Sequence, residues 1–365
     1  MVRQKINDWL IWVFRECERL NGMVKALSPG RNLLLWIALL ALGAMSNRAS
    51  ADYILAAQAY AAGDFTTALD EYRQLAIDGD VRAQYDLGIM LINGEGGEMD
   101  YSAAARWFGA AADQGHEAAQ YNMGVFALRG IGIPQDFFVA FRWFSAIAGS
   151  TQPSASYNLA LLYEQGKGTV IAADKARRWY QVAAEAGHQQ AMYSLGQVLY
   201  EGVGGNADAQ QALTWFRRAA ELGSAEAQYN LAGLYYLGDG VEQDFNQAAE
   251  WYLKAAEQGD ALAQFNLGRM YRFGEGVEKD MPTAARWYRK AARQGDSYAL
   301  NNLAYMIFNG LGVDEDPVLA LALFSLAEQG GNTNAGMALD LLKPQLGLDE
   351  IKRAEQIAQT WLSDK

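Results

Sequence analysis

One cysteine, Cys17, is all that this 365-residue chain contains, so no internal disulfide can hold it together. Histidine is almost as scarce. His116 and His188 lie 72 residues apart with no cysteine between them, so no Cys/His cluster is there to grip a metal. Only 6 prolines are set against 37 glycines, a balance suited to Ala-rich helices joined by glycine-containing turns. No long apolar run occurs. The most apolar stretch, Leu33 to Met45, is 13 residues, where a spanning helix needs roughly 20. From residue 52 onward no Asn-x-Ser/Thr acceptor appears, which favours a bacterial periplasm over an endoplasmic reticulum lumen. Basic residues are also short: 30 Lys/Arg face 42 Asp/Glu, a net charge of −12.

The apolar run comes after Lys25 and Arg31 and precedes Ala49-Ser50-Ala51. Basic flank, short apolar core and small-x-small site make a secretory leader, with cleavage expected between Ala51 and Asp52. The stretch ahead of it is long for a leader. A start at Met23 removes the excess; the alternative is an amphipathic anchor built from Trp9, Leu10, Trp12, Val13 and Phe14. Residues 1–31 carry six Lys/Arg, against Arg48 alone after the apolar run, so either choice exports the rest of the chain. The expected location is periplasmic or secreted, with an inner-membrane anchor facing the periplasm as the alternative. An uncleaved leader would be the only membrane contact. Removing residues 1–51 leaves 23 basic and 39 acidic residues, a net of −16. Such a surface repels phosphate backbones, which argues against nucleic acid as a partner.

What the chain has in abundance is repetition. Trp107, Trp143, Trp179, Trp215, Trp251 and Trp287 fall 36 residues apart. Glycines keep the same step at Gly94, Gly130, Gly166, Gly202, Gly238, Gly274 and Gly310, and again two residues later from Gly96 to Gly312. Alanines do so from Ala104 to Ala320. Seven copies with almost no insertions mean one structural unit stacked repeatedly, each contacting its neighbours.

The copy opening at Ala225 shows the physics. Ala227, Leu231, Leu234 and Tyr235 have the spacing of a buried helical face, expected to run to about Leu237. Gly238 stops the helix in the left-handed conformation. Asp244 then caps a second helix bearing Ala248, Trp251, Tyr252, Ala255 and Ala256, and Gly259 ends it. The tryptophan is expected to be a core residue filling the gap to a neighbouring repeat. In the third copy Ala172 replaces the aspartate, so its second helix is expected to begin differently, near Asp174.

The pattern A-x-A-Q-Y-N-L…G-x-G-V-x-x-D…A-x-x-W-Y-x-x-A-A-x-x-G, over residues 81–331, resembles the Sel1-like repeat, a relative of the tetratricopeptide repeat. That resemblance implies an all-α fold, a right-handed α-solenoid of helix-turn-helix units. Residues 52–80 resemble a shorter tetratricopeptide-like copy at the N-terminal end, through Ala59-Tyr60, Gly63-Asp64-Phe65, Ala68 and Tyr72. Residues 332–365 read as a capping segment: a half-repeat, Pro344, then a last helix over 349–362 capped by Asp349.

Little in the pattern points to chemistry. Both histidines fall at one repeat position, where other copies place Ser224, Asp260 and Asp296, so a solvated turn residue is expected. The Gly-x-Gly pairs come after helices rather than strands and recur in every copy, so they read as turns and not as phosphate loops. No metal, cofactor or catalytic residue is assigned, and the chain is read as a monomer without enzymatic activity.

A binding surface reads more clearly. Positions equivalent to 82, 86, 89 and 93 form one stripe on each first helix. Three of these columns vary sharply, and include Gln197, Arg269 and Tyr305, and Glu201, Phe273 and Asn309. The fourth is nearly constant: Asp86, Asn122, Asn158, Ser194, Asn230, Asn266 and Asn302. Asparagine inside a helix is mildly unfavourable and needs a reason. Either it makes a structural hydrogen bond to a neighbouring turn, or it is a ladder gripping a peptide backbone. First helices line the concave face in related tetratricopeptide arrays, so this stripe is the candidate groove for a protein or peptide. The function implied is an exported adaptor in envelope regulation. Rival readings are a structural subunit of a polysaccharide-export assembly, and a hydrolase.

Overall fold

The computed structural model describes residues 51–362, and among them regular structure is entirely helical. The expected leader and its membrane-anchored alternative lie outside the described residues. Residues 51–61 form α1, and α2 spans Phe65–Ile77. Seven helix pairs come next: α3 (Val81–Asn93) and α4 (Tyr101–Asp113), α5 (Glu117–Arg129) and α6 (Phe137–Ile147), α7 (Pro153–Gln165) and α8 (Ala173–Glu185), α9 (Gln189–Glu201) and α10 (Ala209–Glu221), α11 (Ala225–Leu237) and α12 (Phe245–Glu257), α13 (Ala261–Phe273) and α14 (Met281–Arg293), and α15 (Ser297–Phe308) and α16 (Pro317–Gln329). Then come α17 (Thr333–Leu342), a 3-10 turn at Lys343–Gln345, and α18 (Leu348–Trp361). Among the described residues no helix is long and apolar enough to cross a membrane. The chain forms two compact units that divide within α5, after Ala119.

Local chemistry sets the boundaries. Gly238 adopts φ 71° and its N–H closes onto Leu234, and Gly202 and Gly274 do the same in their copies. Asp208, Asp244, Asp280 and Asp316 each accept a backbone N–H from the first turn of the second helix. Ala172 does not move its helix, contrary to expectation. The helix α8 begins in register at Ala173 without a side-chain cap, and Asp174 sits in its first turn, where the helix dipole favours a carboxylate. The histidines also differ from a solvated turn. His188 Nδ1 accepts the Ala191 N–H at 3.1 Å and its ring stacks on Tyr157, with centroids 4.7 Å apart. In the first unit His116 repeats this with Ala119 and Tyr85. Imidazole here replaces the Ser224, Asp260 and Asp296 caps of other copies.

The core spine is not the tryptophan column. Each tryptophan is half-buried at the edge of the core, and Lys254 and Lys290 lie over the outer faces of Trp251 and Trp287 at 3.7 and 4.0 Å. The next residue goes inside. Phe108, Phe144 and Tyr288 are fully buried and Tyr180 nearly so. Each ring rests on a small residue of the first helix of its own pair. A Cβ added to Gly124 would lie 2.5 Å from Phe144, and one added to Gly268 would lie 2.8 Å from Tyr288. Alanine fills the equivalent positions at Ala160, Ala232 and Ala304, all fully buried. The 36-residue period is shared by the two adjacent columns, and only the second points into the seam.

Successive copies are locked by backbone proximity and amide pairs. An added Cβ on Gly276 would fall 2.1 Å from the carbonyl oxygen of Phe245, the first residue of the preceding copy's second helix, so the second glycine column is a close-approach site as well as a turn. Gln228 is buried and donates to the Ala220 carbonyl at 3.1 Å while accepting from Gln258 at 2.8 Å. Gln264 and Gln294 repeat the pair one copy later. At the C-terminal end α18 starts at Leu348, one residue earlier than expected. Gly347 rather than Asp349 is at the cap position, and Glu350 accepts the Gly347 N–H at 2.8 Å. Trp361 is buried, with the Arg293 guanidinium 3.8 Å over its ring.

These packing relations predict two outcomes. Tyr288→Ala should lower stability by about 3–5 kcal/mol, whereas Trp287→Ala should cost roughly half as much, measured as shifts in urea midpoints. Burial holds the His188 imidazole below its usual 6.5. Unfolding therefore takes up a proton in mild acid, and the cap's contribution is present above about pH 6.5 and is lost as the pH falls through the folded value. Melting of His188→Ser should fall less than that of the parent between about pH 7.5 and 5.

Candidate functional site

A hollow of about 430 Å³ opens on the first helices of the second unit, across α9, α11 and α13. Its walls gather five of the expected groove residues: Gln197, Glu201, Asn230, Asn266 and Arg269. Phe216 and Tyr252, from the second-helix aromatic column, form part of its floor. Gly233 lies between them, and its environment is unlike that of the glycines beneath the core rings. A Cβ built there would meet only the Tyr252 hydroxyl, at 3.7 Å. Glycine inside a helix costs about 1 kcal/mol relative to alanine, so here it leaves open a space that packing does not require.

The near-constant asparagine column has both a structural and an exposed aspect. Asn230 donates to the Tyr193 hydroxyl at 3.4 Å, and Tyr193 belongs to the first helix of the preceding copy. Tyr229 bonds likewise to Asn266, and Tyr157 to Ser194. The partner is thus a neighbouring helix rather than a neighbouring turn. In the first unit Asp86 takes the same place, accepting from Tyr53 at 2.6 Å, and burial raises its carboxyl. Asn122 and Asn158 are half-buried on α5 and α7, outside the hollow. Asn302 is half-buried and lies 3.5 Å from Arg272 Nη1.

Phe273 and Tyr305 are exposed beyond the hollow, at 58% and 43%. Asn309 leaves the groove set. Its amide folds back to donate to the Tyr305 carbonyl at 2.8 Å and sits at the end of its own helix. The stripe also missed contributors. Tyr200 and Tyr236 line the hollow and, with Arg272 just outside it, occupy a column three residues past Gln197, Gly233 and Arg269 that varies as sharply as the ones chosen. Variability at every position of the helix, rather than along one stripe, is the signal that finds it.

Hydrogen bonds fix the side chains around the opening. Tyr200 donates to Asp239 at 2.9 Å and Tyr236 donates to Glu275 at 3.0 Å, each reaching into the next copy's turn. The Asp239 bond raises the Tyr200 phenol, and burial raises those of Tyr229 and Tyr236, so all three stay neutral. Burial also pushes the Tyr288 phenol up to about 12, with Arg272 pulling it back. The wall therefore offers amides, phenols, ring faces, one guanidinium and the Glu201 carboxylate, a mixture fitted to polypeptide. It lacks a nucleophile paired to a base. A larger hollow of about 710 Å³ lies where α18 meets α16 and α17, lined by Leu321, Leu326, Leu339 and Ile351 among others. It is the seam of the terminal cap.

Comparison with known proteins accords with this architecture. A Sel1 repeat protein from Oxalobacter formigenes is 31% identical over 88% of this chain and 93% of its own, with a TM-score of 0.63. The Escherichia coli c5321 protein, a protective antigen present in uropathogenic strains and displaying an SLR fold, is 29% identical over 88% of this chain and 85% of its own, with a TM-score of 0.41. No curated protein matches the chain. The Sel1 repeat matches seven times, at residues 81–116, 117–148, 153–188, 189–224, 225–260, 261–296 and 297–332. The break at 149–152 coincides with a longer connection, where α6 ends early at Ile147 and Pro153 opens α7. The chain belongs to the Sel1 repeat family.

Proposed function

We propose that this protein is an exported, non-enzymatic scaffold that holds an extended segment of another protein on the first helices of its fourth to sixth repeats, at the cell envelope. The observation that carries the reading is the notch at Gly233. The repeat supplies a seamless helical surface, and one copy gives up helix stability to leave a hollow there. Around it stand Gln197, Asn230 and Asn266, whose amides can donate to a peptide carbonyl and accept from a peptide N–H. Tyr229, Tyr236 and Leu237 provide the apolar contact that gives such an interface its energy. Export rests on the leader pattern and on the excess of Lys/Arg ahead of the apolar run.

A photo-crosslinking residue placed at Gly233 should capture a protein in living cells, while the same residue at Lys254, on the outer face of α12, should not. Gly233→Leu fills the notch and should abolish that partner's co-purification at a melting temperature that does not fall. Equal capture from both faces, or capture indifferent to Gly233→Leu, contradicts the assignment of the groove.

A further inference from the structure

The groove carries a feature that peptide binding in general does not require. Arg269 lines the hollow and Arg272, one helical turn further along α13, lies just outside it, in a chain whose net charge is −12. Among the described residues Arg269 has only a long ion pair and Arg272 has none. The Arg269 guanidinium lies over the Tyr236 ring at 4.5 Å; its Nε is buried and makes no hydrogen bond. The nearest acid, Glu275, is 4.0 Å away and already accepts the Tyr236 hydroxyl. Arg272 lies 5.0 Å from the Tyr305 ring and 5.2 Å from Phe273, and its polar neighbours are Asn302, at 3.5 Å, and the Tyr288 phenol. Among the described residues no carboxylate stands within 4.0 Å of Arg272. The two preceding copies place uncharged residues at these positions: Gln197 and Tyr200 in the fourth, Gly233 and Tyr236 in the fifth. No other copy has a lysine or arginine at either position, so the cationic pair is confined to the sixth repeat.

We infer that Arg269 and Arg272 form a carboxylate-binding subsite, and that the segment held in the groove bears an internal aspartate or glutamate there. The inference rests on the peptide-groove reading above and specifies its partner. A guanidinium stacked on a ring keeps its edge N–H groups free and is weakly hydrated, so it meets a carboxylate with two parallel hydrogen bonds at little entropic cost. Glu201 lies across the hollow on α9, at the far end of the same face, and disfavours acid there, which sets the direction of the segment. An internal residue is favoured over a chain end because exposed Phe273, Tyr298 and Tyr305 extend the contact surface past the arginines.

Fluorescence anisotropy of the full chain with labelled probe peptides tests this. The first probe is an extended, C-terminally amidated peptide with one phenylalanine ahead of two aspartates; the second replaces both aspartates with asparagine. The aspartate probe should bind about tenfold more tightly at low salt, and the preference should shrink near 0.5 M NaCl. Arg272→Gln should erase it, Arg272→Lys should retain part of it, and Arg289→Gln, on the exposed side of α14, should leave it intact. Circular dichroism of each variant separates loss of the subsite from loss of fold. Equal affinity for the two probes, no binding of either, or a preference that survives Arg272→Gln would overturn the inference. Crosslinking from Gly233 that persists in any of those cases would leave the groove standing without its acidic occupant.

Discussion

The whole array depends on one contact: the aromatic ring next after each tryptophan, pressed onto a glycine or alanine of the partner helix. Phe144 on Gly124 and Tyr288 on Gly268 leave no room for so much as an unrelaxed methyl group. This spacing brings the two helices of a pair together tightly enough for the second glycine column to touch the preceding copy's backbone. It also fixes the direction in which everything else on the helices points. The tryptophans are pushed to the rim, where Lys254 and Lys290 cover Trp251 and Trp287, and the buried glutamines align to link one copy to the next.

Once the seam is fixed, the first helices have one face left over. Packing repeats with the unit, so residues that the packing uses recur, and residues that it does not use are free to differ. Gln197, Gly233 and Arg269 are the same helical position in three successive copies, yet one is an amide, one an empty notch and one a stacked cation. The asparagine column belongs to both regimes: Asn230 is tied to Tyr193 of the preceding copy and still borders the opening. A rigid wall with locally chosen side chains is what recognition of an extended segment needs, since little ordering is required of the scaffold on binding.

Much of this was legible in the sequence, and the limits have physical causes. Gly238, Asp244 and Gly259 marked helix ends because their local chemistry allows little else. The helix start at Ala173 was not, because the preceding turn, rather than the missing aspartate, sets the register. Trp287 stood in for Tyr288 because adjacent residues on a helix differ by 100°, and composition alone does not say which of two large aromatics faces the seam. Variation along the first helix pointed to Gln197 and Arg269, and the near-constant column to Asn230; the three line one hollow. That variation did not reveal Tyr200 or Tyr236, which enter the groove from the helix's next column, nor the notch at Gly233, which exists only because of what surrounds it.

The central claim is that repeated positions carry stability and varied positions carry recognition. Saturation substitution of α9 through α14, scored in parallel for thermal stability and for capture of the partner crosslinked from Gly233, measures this directly. The account predicts that Gly268, Gln264 and Leu267 lose both together, while Gln197, Gly233, Arg269 and Arg272 lose capture alone. Capture-specific losses scattered over the outer helices, or a groove whose substitutions act only through stability, would contradict it.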